Sequence, residues 1–132
     1  FDLVAARQDA VESELQRNGF VRPSGPGKLT RGWVHPDLQL GFEIVGSNLL
    51  DGHADRTRMR LFGIGTAGDI AVIGIEDLIA DRMGQFSSGA APECLAQARQ
   101  LRVLAPELDM AYLERRISEE TSGEFGAAAL DG

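Results

Sequence analysis

A chain of 132 residues, 43% hydrophobic and 25% charged, has room for one compact domain with a real core. Its net charge of −7 argues against affinity for duplex DNA, which rests on Lys and Arg neutralising phosphates. The longest apolar run, 70-IAVIGI-75, falls well short of the ~18 residues of a membrane span, no signal-peptide pattern is read, and the single cysteine, Cys94, cannot close an internal disulfide, so a bacterial cytoplasm is the expected setting.

One lysine, Lys28, stands against twelve arginines in an Ala- and Gly-rich chain, a composition that fits a GC-rich bacterial genome. The chain opens at Phe1 rather than Met, already in a strand pattern, so the domain is expected to begin upstream. Asp2–Ala5 reads as the end of that strand. A helix is expected from about Ala6 to Asn18, with Ala10, Val11 and Leu15 at helical spacing and Gly19 as its C-terminal stop. The Pro/Gly-dense segment 23-PSGPGKLTRG-32 reads as a loop. Short strands follow at Trp33–His35 and, after the turn 36-PD-37, at Leu38–Val45. After the loop-like 46-GSNLLDGHAD-55, Arg58–Ile64 and Ile70–Ile73 read as strands joined by a turn at Gly65–Gly68.

The pattern then changes to helical. Ile75, Leu78, Ile79, Met83 and Phe86 mark one face of a helix over 75–86, with Glu76 and Asp77 placed favourably at its N-terminus. Further helices are expected over 93–104, ended by Pro106, and over 109–119, capped by Asp109. The tail, 123–132, is expected to fray. The order predicts a single α+β domain: a mixed sheet, helices packed on it and a C-terminal helical part. The expected core is Leu15, Phe42, Ile44, Leu61, Ile73, Leu78, Ile79, Leu101 and Leu113.

Several motifs lose to plainer readings. The letters of 63-GIGTAG-68 match G-x-G-x-x-G, but a strand follows where a dinucleotide loop needs a helix N-terminus, so a hairpin turn is the reading. The stretch 25-GPGK-28 lacks the earlier Gly of a phosphate loop and carries Leu29 where Ser/Thr should stand; it reads as a surface loop. His35 and His53 lack zinc spacing, and Cys94 reads as a half-buried helix cysteine. Arg56, Arg58 and Arg60 alternate as if along one strand face. That face is either simply solvated or suited to phosphate oxygens, in which case Arg58 and Arg60 would bind a triphosphate.

Asp2 and Glu43 form the informative pair. Acids on two neighbouring strands, aimed at one place, suit divalent metal ions and phosphoryl transfer. The run FDLVA, a helix ending in 19-GF-20, 35-HPDLQLGFEIV-45, 70-IAVIGIEDLIADRMGQF-86 and 97-QARQL-101 resembles bacterial nucleotidyltransferase-like proteins. These belong to the DNA polymerase beta-like superfamily, in a branch with toxin–antitoxin-associated members. The likeness covers roughly residues 1–120 through the order and spacing of landmarks.

The resemblance implies a nucleotidyltransferase-like fold and Mg²⁺ or Mn²⁺ as cofactor. Asp2 would be the second acid of Asp-x-Asp and Glu43 the third acid, both metal ligands, with Glu43 also the base nearest the acceptor. The first acid would fall two residues before Asp2, after a Gly-rich motif. The implied activity is transfer of a nucleoside monophosphate from an NTP to an unknown acceptor. The alternative is a catalytically degenerate member acting as a binding or regulatory partner, as in a toxin–antitoxin pair. A homo-oligomer or a partner protein is compatible with either.

Overall fold

The computed structural model describes residues 1–23 and 32–132. It is an α+β protein with a small mixed sheet, a separate hairpin and four α-helices. The chain divides into two compact units, Phe1–His53 and Ala54–Gly132, each with its own core.

In the first unit, β1 (Asp2–Val4), β2 (Gly32–His35) and β3 (Leu40–Gly46) form a three-stranded sheet in the order β1-β3-β2. β1 runs parallel to β3 and β2 antiparallel to it. The expected pairing of the opening strand with 38–45 is therefore present. β3 starts two residues later than expected, because 36–39 forms a turn in which Gln39 has a φ of 53°. Helix α1 (Gln8–Arg17) begins after Arg7, whose φ of −116° and ψ of 78° lie outside the helical region. It ends at Asn18, and Gly19 follows with a φ of 86°, a conformation glycine adopts without cost. Leu15, Phe20 and Trp33 form the core, with Val11 and Phe42 packed against them. Phe42 and Ile44, expected to be buried, are half-buried.

In the second unit, β4 (Arg60–Gly63) and β5 (Asp69–Val72) pair only with each other, as an antiparallel hairpin. All eight positions are exposed. Leu61, an expected core residue, is 69% exposed. It alternates like a buried position, but a two-stranded ribbon brings no second layer to cover that face. The 63–68 segment is the hairpin connection, with the Ile64 N–H donating to the Gly68 carbonyl at 2.8 Å. Arg56–Arg58 is a 3-10 turn, so the expected strand over 58–64 begins only at Arg60.

Helices α2 (Ile75–Ser87), α3 (Cys94–Leu104) and α4 (Met110–Glu120) pack around Ile79, Ala80, Met83, Ala98, Leu113 and Ile117. Fully burying side chains of the Leu, Ile or Met kind contributes about 1.5–3 kcal/mol each. Gly84 lets α2 approach α4 closely: a Cβ there would stand 3.2 Å from the Glu120 carbonyl oxygen. As expected, the Asp109 carboxylate caps α4, accepting the Tyr112 N–H at 3.0 Å. Ile73, Leu78 and Leu101 are half-buried, while Ile79 and Leu113 are fully buried.

The tail does not fray. Ala127–Leu130 forms a 3-10 turn that buries Ala127 and Leu130 in the helical core. Arg99 donates to the Ala129 carbonyl at 3.0 Å and Arg102 to that of Ala127 at 3.3 Å, while Arg102 also pairs with Asp131. Among the described residues no helix is long and apolar enough to cross a membrane.

Candidate functional site

The parallel ladder between β1 and β3 sets the geometry of the two acids. The Phe1 nitrogen donates to the Gly41 carbonyl at 2.8 Å and the Glu43 N–H to the Phe1 carbonyl at 2.9 Å. Asp2 is the register partner of Glu43, and Leu3 that of Ile44. Side chains alternate across a strand, and register partners leave the same face. The Phe1 and Phe42 rings stack on one face with centroids 5.4 Å apart, and Phe42 packs toward the Leu15–Phe20–Trp33 core. Asp2 and Glu43 therefore project together from the other face, on strands spaced about 4.8 Å apart.

Two glycines clear that face. Gly32 of β2 is the partner of Glu43 on its other side, and Gly41 precedes Glu43 by two residues on the same strand. Among the described residues, a Cβ at either position would meet nothing closer than 3.8 Å. The rim is apolar: Val34, opposite Gly41, is 38% exposed and Val45 50%. Sequence reasoning singled out the acids and did not single out these glycines. A glycine inside a strand marks a place where something approaches closely, and 32-GWVH-35 and 40-LGFE-43 each carry one.

Two carboxylates held side by side repel unless they share a proton or a cation, and oxygen donors suit hard divalent ions such as Mg²⁺. By its chemistry, a pair of carboxylates is a donor set suited to such an ion. Among the described residues no group of three or more His, Cys, Asp or Glu converges.

The arginines have separate fates. Arg58 lies in the turn capped by Asp55, whose carboxylate accepts from the Thr57 N–H at 2.9 Å. Its guanidinium donates to Asp109 at 2.8 Å and lies over the Tyr112 ring at 3.8 Å. The hydrogen bond to Asp109 raises its pKa. Arg60 is exposed on β4, opposite Val72. The expected row of Arg56, Arg58 and Arg60 on one strand face is thus replaced by a turn followed by a strand, because Asp55 N-caps the 56–58 segment.

A second carboxylate site, unforeseen in the sequence, lies in the helical unit. Asp77 and Arg116 are each 1% exposed, and the Arg116 Nε donates to Asp77 at 2.7 Å. The Tyr112 hydroxyl donates to Asp77 at 2.9 Å. Arg116 also reaches Glu119 at 2.7 Å and Glu120 at 2.6 Å. Burial pulls the Arg116 pKa down, but the hydrogen bonds to these three carboxylates outweigh it and the net shift is upward. Burial, with the bond to Asp77, also pushes Tyr112 up. The available signal was Arg116 lying between Leu113 and Ile117 on the buried stripe of α4. With its oxygens taken by Arg116 and Tyr112, Asp77 works as architecture.

The remaining motifs resolve simply. Cys94 is buried with its Sγ 3.6 Å from the Gln85 Oε1. His35 is the last residue of β2, its ring accepting from the turn before β3, and His53 is exposed. The 25-GPGK-28 stretch lies outside the described residues. Compared with known proteins, the chain matches no family model, no curated protein and no solved structure.

Proposed function

We propose that this chain belongs to a metal-dependent nucleotidyltransferase that moves a nucleoside monophosphate from an NTP to an acceptor hydroxyl. The observation that carries the reading is the register of Asp2 with Glu43 across parallel strands, on a face cleared by Gly32 and Gly41. The order of sequence landmarks, which resembles that of nucleotidyltransferase-like proteins and includes the two acids, supports it.

Asp2 and Glu43 would hold Mg²⁺ or Mn²⁺. Bound divalent ions lower the pKa of an acceptor hydroxyl and neutralise charge on the triphosphate and the leaving pyrophosphate. Glu43 would also take the proton of the attacking hydroxyl. A bond forms between that oxygen and the α-phosphorus, the bond from the α-phosphorus to the bridging oxygen breaks, and pyrophosphate leaves. Of the two arginines expected at the triphosphate, Arg58 is already committed to Asp109 and Tyr112, and Arg60 is exposed.

The test is transfer of label from radiolabelled NTP by the natural chain with Mg²⁺ or Mn²⁺. Glu43→Gln and Asp2→Asn are each expected to lower transfer by about 100-fold or more. Transfer that survives both substitutions removes these residues from the chemistry. Mn²⁺ binding without transfer, lost in both variants, points to the catalytically degenerate, partner-binding reading instead.

A further inference from the structure

The turn between β2 and β3 is held from within by His35. Its Nδ1 accepts the backbone N–H of Asp37 at 3.3 Å and of Leu38 at 3.2 Å, and its carbonyl accepts that of Gln39 at 3.1 Å. The ring meets Phe20 edge-on, with centroids 5.2 Å apart, and Phe20 is part of the small core. On the far side Nε2 faces Gly19 at the end of α1, only 2.9 Å from where a Cβ would stand. His35 thus ties the turn, the core and the helix end together.

A ring nitrogen that accepts from N–H groups must present its lone pair, so the single proton of the neutral ring resides on Nε2. We propose that His35 is a pH-sensitive latch: the neutral imidazole closes the 36–39 turn, and protonation opens it. A proton taken from solvent onto Nδ1 places an N–H against two other N–H groups. The two acceptor bonds are lost together and nothing in the turn's backbone replaces them. The charged groups on the elements around the ring are few. Among the described residues, the turn brings Asp37, and the last turn of α1 brings Arg17, bonded to Glu14 at 2.6 Å. Phe20, and Leu40 opposite His35 on β3, bring no charge.

The experiment is ¹⁵N NMR of the chain between pH 8 and pH 5, in wild type and in Asp37→Asn, which removes the carboxylate carried by the turn. At pH 8, Nδ1 of His35 is expected to resonate as a pyridine-type nitrogen and Nε2 as a pyrrole-type one. As pH falls, the Asp37 and Leu38 amides should titrate together with the ring. They should lose about tenfold or more in exchange protection, corrected for intrinsic rates, while Phe42 in the strand ladder keeps its protection. His35→Asn, whose side-chain oxygen can accept the same N–H groups at every pH, should hold that protection level. A pyrrole-type Nδ1 at pH 8 would overturn the proposal, as would Asp37 and Leu38 amides that stay unchanged through the His35 titration.

Discussion

The two units use carboxylates in opposite ways. In the helical unit Asp77 is sealed from solvent and its oxygens are taken by Arg116 and Tyr112. In the sheet unit Asp2 is exposed and Glu43 half-buried, side by side over two glycines, and among the described residues no hydrogen bond or ion pair holds either carboxylate. A buried, saturated acid is paired because an unpaired charge there would be too costly. Two adjacent unsaturated acids repel, and nothing in the fold requires that arrangement. The contrast separates a carboxylate saturated by its neighbours from two that are not, and it is the reason the proposal rests on Asp2 and Glu43 rather than on the better-connected Asp77.

The largest effect should come from breaking the buried pair. Asp77→Ala is expected to cost about 3–5 kcal/mol in urea unfolding, because it leaves Arg116 buried and facing a lost partner. Glu43→Gln should shift stability by less than about 0.5 kcal/mol. Similar losses in both variants would break the comparison.

The cores differ as well. The sheet unit buries Leu15, Phe20 and Trp33, and the Trp33 Nε1 is buried without a hydrogen-bond partner among the described residues. The helical unit buries eight core residues. Hydrogen exchange should therefore show β3 amides opening at least about tenfold more readily than those of α2 and α4. Equal protection in the two units would mean that they unfold as one.

A smaller effect sharpens the role of Tyr112. Tyr112→Phe removes the hydroxyl from Asp77 and should cost about 1–2 kcal/mol. The pKa of Tyr112 is raised above 10.0 in the fold, through burial first and then the bond to Asp77. Its contribution is therefore complete below pH 10 and lost as pH rises through the higher folded value. Stability curves of wild type and the Phe variant should converge on the alkaline side, and curves that stay parallel would argue against this linkage. The smallest effect is at the hairpin: Leu61→Ser should change stability by no more than about 0.5 kcal/mol, since Leu61 is 69% exposed. A thermal melt shifted by many degrees would show that Leu61 is covered.

Local pattern carried the elements further than their assembly. Helical spacing of Ile75, Ile79 and Met83 placed α2, and Asp109 marked the start of α4, because periodicity and capping are written into neighbouring residues. The pairing of the opening strand with 38–45 is not local; it was expected from the two acids, and β1 does pair with β3. Strand alternation says which residues share a face but not what covers that face, so Leu61 looked like a core residue and the hairpin like part of the main sheet. The tail 123–132 shows no pattern of its own; Arg99 and Arg102 hold its carbonyls from α3, a contact invisible to local reading. Within the site, the acids could be picked out, and the clearing around them could have been, from the strand glycines Gly32 and Gly41. The buried Asp77–Arg116 pair could not be read in the same way, since it joins residues 39 apart in sequence on two helices.

The claim that the unsaturated acids form the site is tested most directly by Mn²⁺ binding. The natural chain would be titrated with Mn²⁺ in the presence of a non-hydrolysable NTP analogue, with water-proton relaxation as the readout, alongside folded Glu43→Gln and Asp2→Asn variants. The account predicts saturable binding in the wild-type chain, weakened about tenfold or more in each variant. Binding of equal strength in all three, or no saturable binding in the wild-type chain, would contradict it.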